Sequence, residues 1–310
     1  MRFTAKIRDF IRYKILIRDS FWYRKLRFHG ISIDDLEWVH QTKSPRIRSL
    51  GITLVHQDLL FVLSSYSILR NLKGSLSIEV HQKENKITLK HKGLSIPVDS
   101  KQEIFIFSEV FHSNIYNINI QSPSIIIDVG FNIGIASLFF ALNTNVEKIF
   151  AYEPLQPTLE KGMKVMGINK PFSNKVNVHN FGLSREDTVY DVLYSYEKKG
   201  NVGITNQKMD RSSSHLEKMT VKDSSPIISD ILDSYTDHRI ILKIDCEGGE
   251  YNIIDRLHET RILERIDFIM IEFHYEGPQR LLNKLSSKYF ECLVFGEVEP
   301  IGMIYAWRCK

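Results

Sequence analysis

The spacing of apolar residues divides the chain into two styles. Phe3, Ile7, Phe10 and Ile11 recur three to four residues apart, or side by side, in a basic stretch, as on one face of a helix. A second helical pattern runs from Asp58 to Leu72, with Leu59, Leu60, Val62, Leu63 and Leu69 apolar and Asp58 placed to cap the free N–H groups of the first turn. Residues 29–50 lack a clear period and read as loop-rich. The period then shortens to two. Ile78 and Val80 alternate with polar residues, as do Ile87 and Leu89 beyond Glu84–Asn85, which predicts an antiparallel hairpin or meander over Ser75–Val98.

From Pro123 onward, short apolar runs alternate with longer amphipathic ones. Strands are predicted at Ser124–Val129, Lys148–Glu153, Val176–Phe181, Arg239–Asp245, Asp267–Phe273, Tyr289–Phe295 and Gly302–Trp307. Helices are predicted at Ile133–Asn143, Pro157–Ile168, Ile227–Tyr235, Glu250–His258 and Gly277–Lys288. This succession calls for an α/β fold, a parallel sheet with helices on both faces. Only Gly296–Ile301 separates the last two strands, too little for a parallel crossover, so that pair is antiparallel. Residues 184–226 interrupt the alternation as a polar insertion with short strands at Thr188–Tyr194 and Met219–Val221. A wall for a substrate pocket and a plain surface loop are both open for it.

The length of 310 residues suits a catalytic domain with an appendage. The expected division is an α+β extension over residues 1–100 and an α/β domain over residues 101–310. Residues 1–28 carry nine basic and two acidic side chains, a net +7, so the rest of the chain carries −3 of the total +4. That basic arm is either a solvated helix face or a contact for anionic lipid at the inner membrane surface. The overall balance is too mild to call for a nucleic-acid partner. Cys246, Cys292 and Cys309 have neither disulfide-framework nor metal spacing. With no signal-like apolar core and no run of about 18 apolar residues, a cytoplasmic protein is expected.

Candidate chemistry gathers at the predicted carboxyl ends of the strands, where open α/β sheets bind ligands. The run Asp128-Val-Gly130-Phe-Asn132-Ile-Gly134 follows the first of these strands. It lacks the Gly-x-Gly of a dinucleotide fingerprint, and Asp128 would repel a pyrophosphate. A carboxylate beside a glycine turn suits a cationic, phosphate-free nucleoside such as S-adenosylmethionine. Glu153 ends the next strand, 19 residues past Gly134, the place from which an acid takes both ribose hydroxyls. A nicotinamide-dependent dehydrogenase would share that acid. "KIDCEGGE" then brings Asp245, Glu247 and Glu250 within six residues, with Glu250 favoured as a helix-capping acid. "IEFH" places Glu272 and His274 on one side of the neighbouring strand.

The segments "DVGFNIG", "YEP", "FGLS", "LKIDCEGGE" and "IEFH" resemble, in order and spacing, the FkbM-type family of S-adenosylmethionine-dependent methyltransferases. "EVFHSNIYN" (Glu109–Asn117) looks like the stretch before that family's core. The resemblance covers about residues 105–275 and implies a class I methyltransferase fold, Rossmann-like, with seven strands and a terminal antiparallel hairpin. It implies O-methylation of a sugar, glycan precursor or secondary metabolite. The cofactor residues are then Asp128, Gly130, Asn132, Gly134, Glu153, Gly182, Leu183 and Asp245, with "NFGLS" (Asn180–Ser184) along the adenine. For catalysis the candidates are His274, Asp245, Glu272 and Glu247. Two jobs are open to Asp245, Glu272 and His274. One is general base catalysis, with His274 preferred because an unperturbed imidazole titrates near neutrality. The other is binding a divalent metal. The family more often has Ala at positions 131 and 249, so the bulk of Phe131 is expected to bear on the cofactor pocket. Rival readings are the dehydrogenase and a non-catalytic cofactor-binding scaffold.

Overall fold

The computed structural model describes residues 12–13, 16–17, 19–55, 59–76, 79–83, 86–194, 215–298 and 301–308. The expected apolar face at Phe3, Ile7, Phe10 and Ile11, and the cap at Asp58, lie outside the described residues. Contacts along the chain divide it into two units, residues 1–115 and 116–310.

The first unit holds a helix at Ser20–Phe28, started by Asp19, whose carboxylate accepts from the Phe21 and Trp22 N–H groups at 2.8 and 3.1 Å. Residues 29–50, expected as loop, instead contain β1 (Leu36–Val39) and β2 (Ser44–Ile47), which pair antiparallel and continue into β3 (Ile52–Thr53). Strands of four residues are too short for an alternation to register. The helical pattern beyond Asp58 forms two helices, Leu60–Ser64 and Tyr66–Ser75, which meet at Ser65. The alternating stretch forms a meander of β4 (Glu79–Lys83), β5 (Lys86–His91) and β6 (Leu94–Val98). A helix at Lys101–Phe111 was not expected. Ser100 Oγ caps it by accepting from Glu103 N–H, and the Glu103 carboxylate reaches back one residue further to accept from Asp99 N–H. The Phe107 and Phe111 rings of this helix lie against His91 of β5, so the helix belongs with the first unit.

The second unit is built on a seven-stranded sheet. Its strands are β7 (Ser124–Val129), β8 (Val146–Tyr152), β9 (Val176–His179), β13 (Arg239–Ile244), β14 (Phe268–Phe273), β15 (Phe290–Val298) and β16 (Ile301–Arg308). Across the sheet the order is β15-β16-β14-β13-β7-β8-β9. All neighbours from β14 to β9 are parallel, and β16 runs antiparallel to both β14 and β15. This order, with its terminal hairpin, is the class I methyltransferase fold. The central strands β7 and β13 are almost wholly buried, as expected for strands covered on both faces. Ile125, Ile127, Leu242 and Ile244 pack on Ile253, Ile254 and Leu257 of the helix Glu250–Glu259.

The insertion contains a second sheet, in which β10 (Gly182–Ser184) lies parallel and β11 (Thr188–Tyr194) antiparallel to β12 (His215–Asp223). Val192, Tyr194, Met219 and Val221 give it a small core with Leu155. It is therefore an ordered element, not a bare loop, where described. Among the described residues no helix is long and apolar enough to cross a membrane.

Candidate active site

The turn after β7 has little freedom. Gly130 has φ +89°, and a Cβ there would lie 1.7 Å from the Asp245 carbonyl oxygen. The backbone after β7 thus runs against the backbone after β13 with no room for a side chain. Gly134 has φ +85° and forms the N-cap of the helix Ile135–Ala141, which is why the helix starts later than the apolar run. Phe131 is buried, and its ring turns onto the helix Gln156–Ile168, where a Cβ on Gly162 would approach the ring to 2.4 Å. The bulk at position 131 is thus matched by the missing side chain at position 162.

Glu153 lies just past β8 and is 6 % exposed. Its Oε2 accepts from Asn132 N–H at 2.9 Å and its Oε1 from Leu155 N–H at 3.0 Å. Each oxygen keeps a second lone pair. Burial pushes its pKa from 4.5 to about 7, against the two backbone hydrogen bonds. In the unfolded chain the carboxyl loses its proton near 4.5, so between pH 4.5 and 7 the folded state binds the proton more strongly. The stabilisation is complete below pH 4.5 and is lost as pH rises through 7. Glu153→Gln is expected to remove this share, on the order of 3 kcal/mol, from the pH dependence. Urea unfolding at pH 5 and pH 8 checks it; an unchanged difference between the two pH values would show that Glu153 is ionised throughout.

Asp128 is not open to a ligand. Lys243, in register with it on β13, is 1 % exposed and places its Nζ 3.0 Å from Asp128 Oδ1. Ser137 Oγ donates to Asp128 Oδ2 at 2.6 Å. Lys243 Nζ also donates to the Gly130 carbonyl at 2.8 Å and lies 3.7 Å from Asp245 Oδ2. Burial lowers the Lys243 pKa, but the charges of Asp128 and Asp245 outweigh it, and the net direction is up. The sequence reading missed Lys243 and Ser137. A lysine in the middle of an otherwise apolar central strand was the available signal. The acid left facing the open side is Asp245, whose side chain is 31 % exposed and accepts from the Tyr116 hydroxyl at 3.3 Å.

The remaining acids cluster where β13 and β14 end. Glu250 heads its helix but does not cap it. Its carboxylate folds back, Oε2 accepting from Gly248 N–H at 2.8 Å and Oε1 from His274 N–H at 2.7 Å. His274 Nδ1 lies 3.2 Å from the same Oε1. Its Nε2 stands 3.8 Å from Glu272 Oε1 and 4.0 Å from Glu247 Oε2. Burial lowers the His274 pKa, but the Glu250 hydrogen bond and the charges of Glu250, Glu247 and Asp245 reverse this and raise it to about 9. That direction departs from the near-neutral titration expected of a base. Burial lifts Glu247 to about 7. One ligand atom each from Asp245, Glu272 and His274 lies within 4.8 Å of the others.

Gly182 and Leu183 are buried in β10 and pair with Val221 and Lys222 of β12. A Cβ on Gly182 would meet Val221 Cγ1 at 3.2 Å and Pro154 Cγ at 3.3 Å. They are thus placed beside the Glu153–Pro154 corner as packing residues.

The profile of the methyltransferase FkbM domain family matches residues 128–292. Methyltransferase 1 of Beauveria bassiana (strain ARSEF 2860) is 25% identical over 182 residues, covering 54% of this chain and 72% of that protein. The AMB antimetabolite synthetase AmbE of Pseudomonas aeruginosa is 24% identical over 176 residues, which is 54% of this chain but 8% of that protein. A crystal structure of Methyltransferase FkbM from Methylobacillus flagellatus KT aligns over 81% of this chain at 16% identity, with a TM-score of 0.44. The chain spans about half the length of that structure, 54%.

Proposed function

From the premise that the chain belongs to the FkbM methyltransferase family, we propose that it transfers a methyl group from S-adenosylmethionine to a hydroxyl of a sugar, glycan precursor or secondary metabolite. The observation that carries this reading is the cradle at Gly130. A Cβ there would strike the Asp245 backbone, and the buried Glu153 carboxylate ends the next strand. Bound S-adenosylmethionine supplies a methyl group on a positively charged sulfur.

The chain's own residues divide the binding work. Gly130 lets the turn close on the Asp245 backbone, and Gly134 lets it close on the Met166 and Phe131 side chains, which fixes where the cofactor's aminoacyl end would lie. Glu153 offers the free lone pairs of both oxygens to the ribose hydroxyls. One oxygen of Asp245 takes the ammonium group, the role first expected of Asp128, and the other remains for a second cation. Asp128 instead acts behind it, by fixing Lys243 beside the Gly130 carbonyl. Asn132 contributes its backbone, since its N–H orients Glu153. Gly182 and Leu183 support the Pro154 corner, with Asn180 and Phe181 of the same segment nearer the adenine. Glu272, His274 and Glu247 stand beyond Asp245, on the side where an acceptor hydroxyl would enter. The acceptor in this reading is a small molecule or glycan and not a nucleic acid.

S-adenosylmethionine and its demethylated product are expected to stabilise the protein by about 2.7 kcal/mol at a hundredfold excess over the dissociation constant, and NAD is not. Glu153→Ala removes charge-assisted hydrogen bonds worth on the order of 1.5–3 kcal/mol, so affinity falls about tenfold or more. Thermal shift and titration calorimetry check both. Stabilisation by NAD alone would support the dehydrogenase instead. Cofactor binding without release of labelled methyl to any hydroxyl acceptor would support a scaffold.

A further inference from the structure

The His274 side chain is 6 % exposed, and Glu250, itself fully buried, fixes it through Nδ1. The opposite nitrogen, Nε2, points at Glu272 Oε1 from 3.8 Å and at Glu247 Oε2 from 4.0 Å. Both distances are too long for a hydrogen bond. They suit two ligands of one cation: with metal–ligand bonds of about 2.1 Å, ligand atoms sit roughly 3 Å apart in adjacent positions and about 4.2 Å apart when opposite. Asp245 supplies the third atom, all three lying within 4.8 Å of one another, so a side-chain shift of a few tenths of an ångström brings every pair inside that span. A carboxylate holding the far nitrogen of an imidazole is also the usual outer support of a metal-bound histidine.

The charges agree with this geometry. Lys243 pairs most closely with Asp128, at 3.0 Å, and lies 3.7 Å from Asp245. Asp245 and Glu272 bring two carboxylates to the cluster, and His274 would give up its Nε2 proton on ligating a cation. Both are half-buried, so the cluster is closed on the His274 side and open opposite it.

We propose that Asp245, Glu272 and His274 bind one divalent cation, and that it takes the acceptor hydroxyl oxygen as a further ligand. Two carboxylates and an imidazole leave positions free in a six-coordinate shell. A mixed oxygen and nitrogen set of this kind suits Mn²⁺. The inference rests on the methyl-transfer reading for its chemistry but not for the cation itself. The bound hydroxyl gives its proton to water. An oxygen lone pair forms the new O–CH₃ bond as the S–CH₃ bond breaks, and the S–C bonding pair stays on sulfur, which leaves as a neutral thioether. Nothing is oxidised or reduced.

The test uses the full chain, stripped with EDTA and dialysed. Mn²⁺ is titrated in while free Mn²⁺ is followed by electron paramagnetic resonance. S-adenosylhomocysteine-induced thermal shift is measured on the same samples. One Mn²⁺ per chain is expected, with affinity at least tenfold weaker in Glu272→Gln and His274→Gln. The persisting shift with S-adenosylhomocysteine shows that the variants fold. Absence of Mn²⁺ binding, or binding that both variants leave unchanged, overturns the site; the imidazolium alone would then balance the carboxylates. A missing shift with S-adenosylhomocysteine in the wild type would instead overturn the cofactor reading, whatever Mn²⁺ does.

Discussion

Replacing Lys243 by alanine is expected to destabilise the protein by about 3–5 kcal/mol, because it leaves a buried carboxylate without its cation. Asp128 and Lys243 are 0 % and 1 % exposed, and neither reaches water for compensation. The ammonium also holds the Gly130 carbonyl, so its loss frees the turn as well as the charge. A loss of that size is a large part of an ordinary domain's 5–15 kcal/mol. The charge is separable from the packing. Lys243→Met fills much of the space and keeps the unpaired acid, whereas Lys243→Met combined with Asp128→Asn removes the charge and lets Ser137 keep a partner. The double variant is expected to recover most of what the single one loses. Urea denaturation of the wild type, Lys243→Met, Asp128→Asn and the double variant gives the cycle directly. A single Lys243→Met variant as stable as wild type would mean that Asp128 takes up a proton or finds water, and the ion pair would then be incidental.

The strands of the sheet and its terminal hairpin were legible because each strand of the second unit carries its own signal. Ser124–Val129 is apolar throughout up to its acid, and Gly130 and Gly134 mark the turn after it. The short link before Ile301 could only be a hairpin. The placing of Glu153, Asp245, Glu272 and His274 at strand ends was legible for the same reason: an acid after a buried strand lies at the ligand-binding edge. What was not legible is which acids are already paired. Asp128 and Asp245 look alike in the sequence. Only the parallel register of β7 and β13 shows that Lys243 faces Asp128.

The first unit was harder to read for a different reason. β1 and β2 are four residues each, and their buried positions, Leu36 and Ile47, do not form a run. The helix Lys101–Phe111 had both a start signal, Ser100 with Glu103 three residues later, and a helical face in Ile104, Phe107, Val110 and Phe111, so it was legible although not predicted. The Phe131 ring shows the limit of reading one motif at a time. Its bulk is accommodated by Gly162, 31 residues on, which no spacing rule connects to it.

Gly130→Ala is expected to be the most damaging of the glycine substitutions around the site, and the three positions grade themselves. At Gly130 a methyl group would lie 1.7 Å from a backbone oxygen, and the backbone is at φ +89°. The left-handed conformation alone costs an L-residue about 1–2 kcal/mol. The clash adds to it, since neither β7 nor β13, buried at the centre of the sheet, can yield cheaply. A total on the order of 3 kcal/mol or more is expected, with loss of cofactor binding as the Asp245 backbone is displaced. Gly134→Ala carries the same conformational cost at φ +85°, but the nearest atoms, Met166 Cε at 2.3 Å and the Phe131 ring at 2.7 Å, belong to side chains. Its cost is lower to the extent that Met166 can turn aside. At Gly249 the backbone is helical, with φ −77°, and a Cβ would meet Cys246 Sγ at 3.1 Å and otherwise make ordinary contacts with the same residue, the nearest to its carbonyl oxygen at 3.5 Å. Gly249→Ala is therefore expected to stay within about 1 kcal/mol of wild type. Melting temperatures of the three variants, each with and without S-adenosylhomocysteine, test the order. A Gly130→Ala variant that melts like the wild type and still responds to the nucleoside would mean that the two strand ends stand further apart than 1.7 Å implies, and the cradle would not be the binding element.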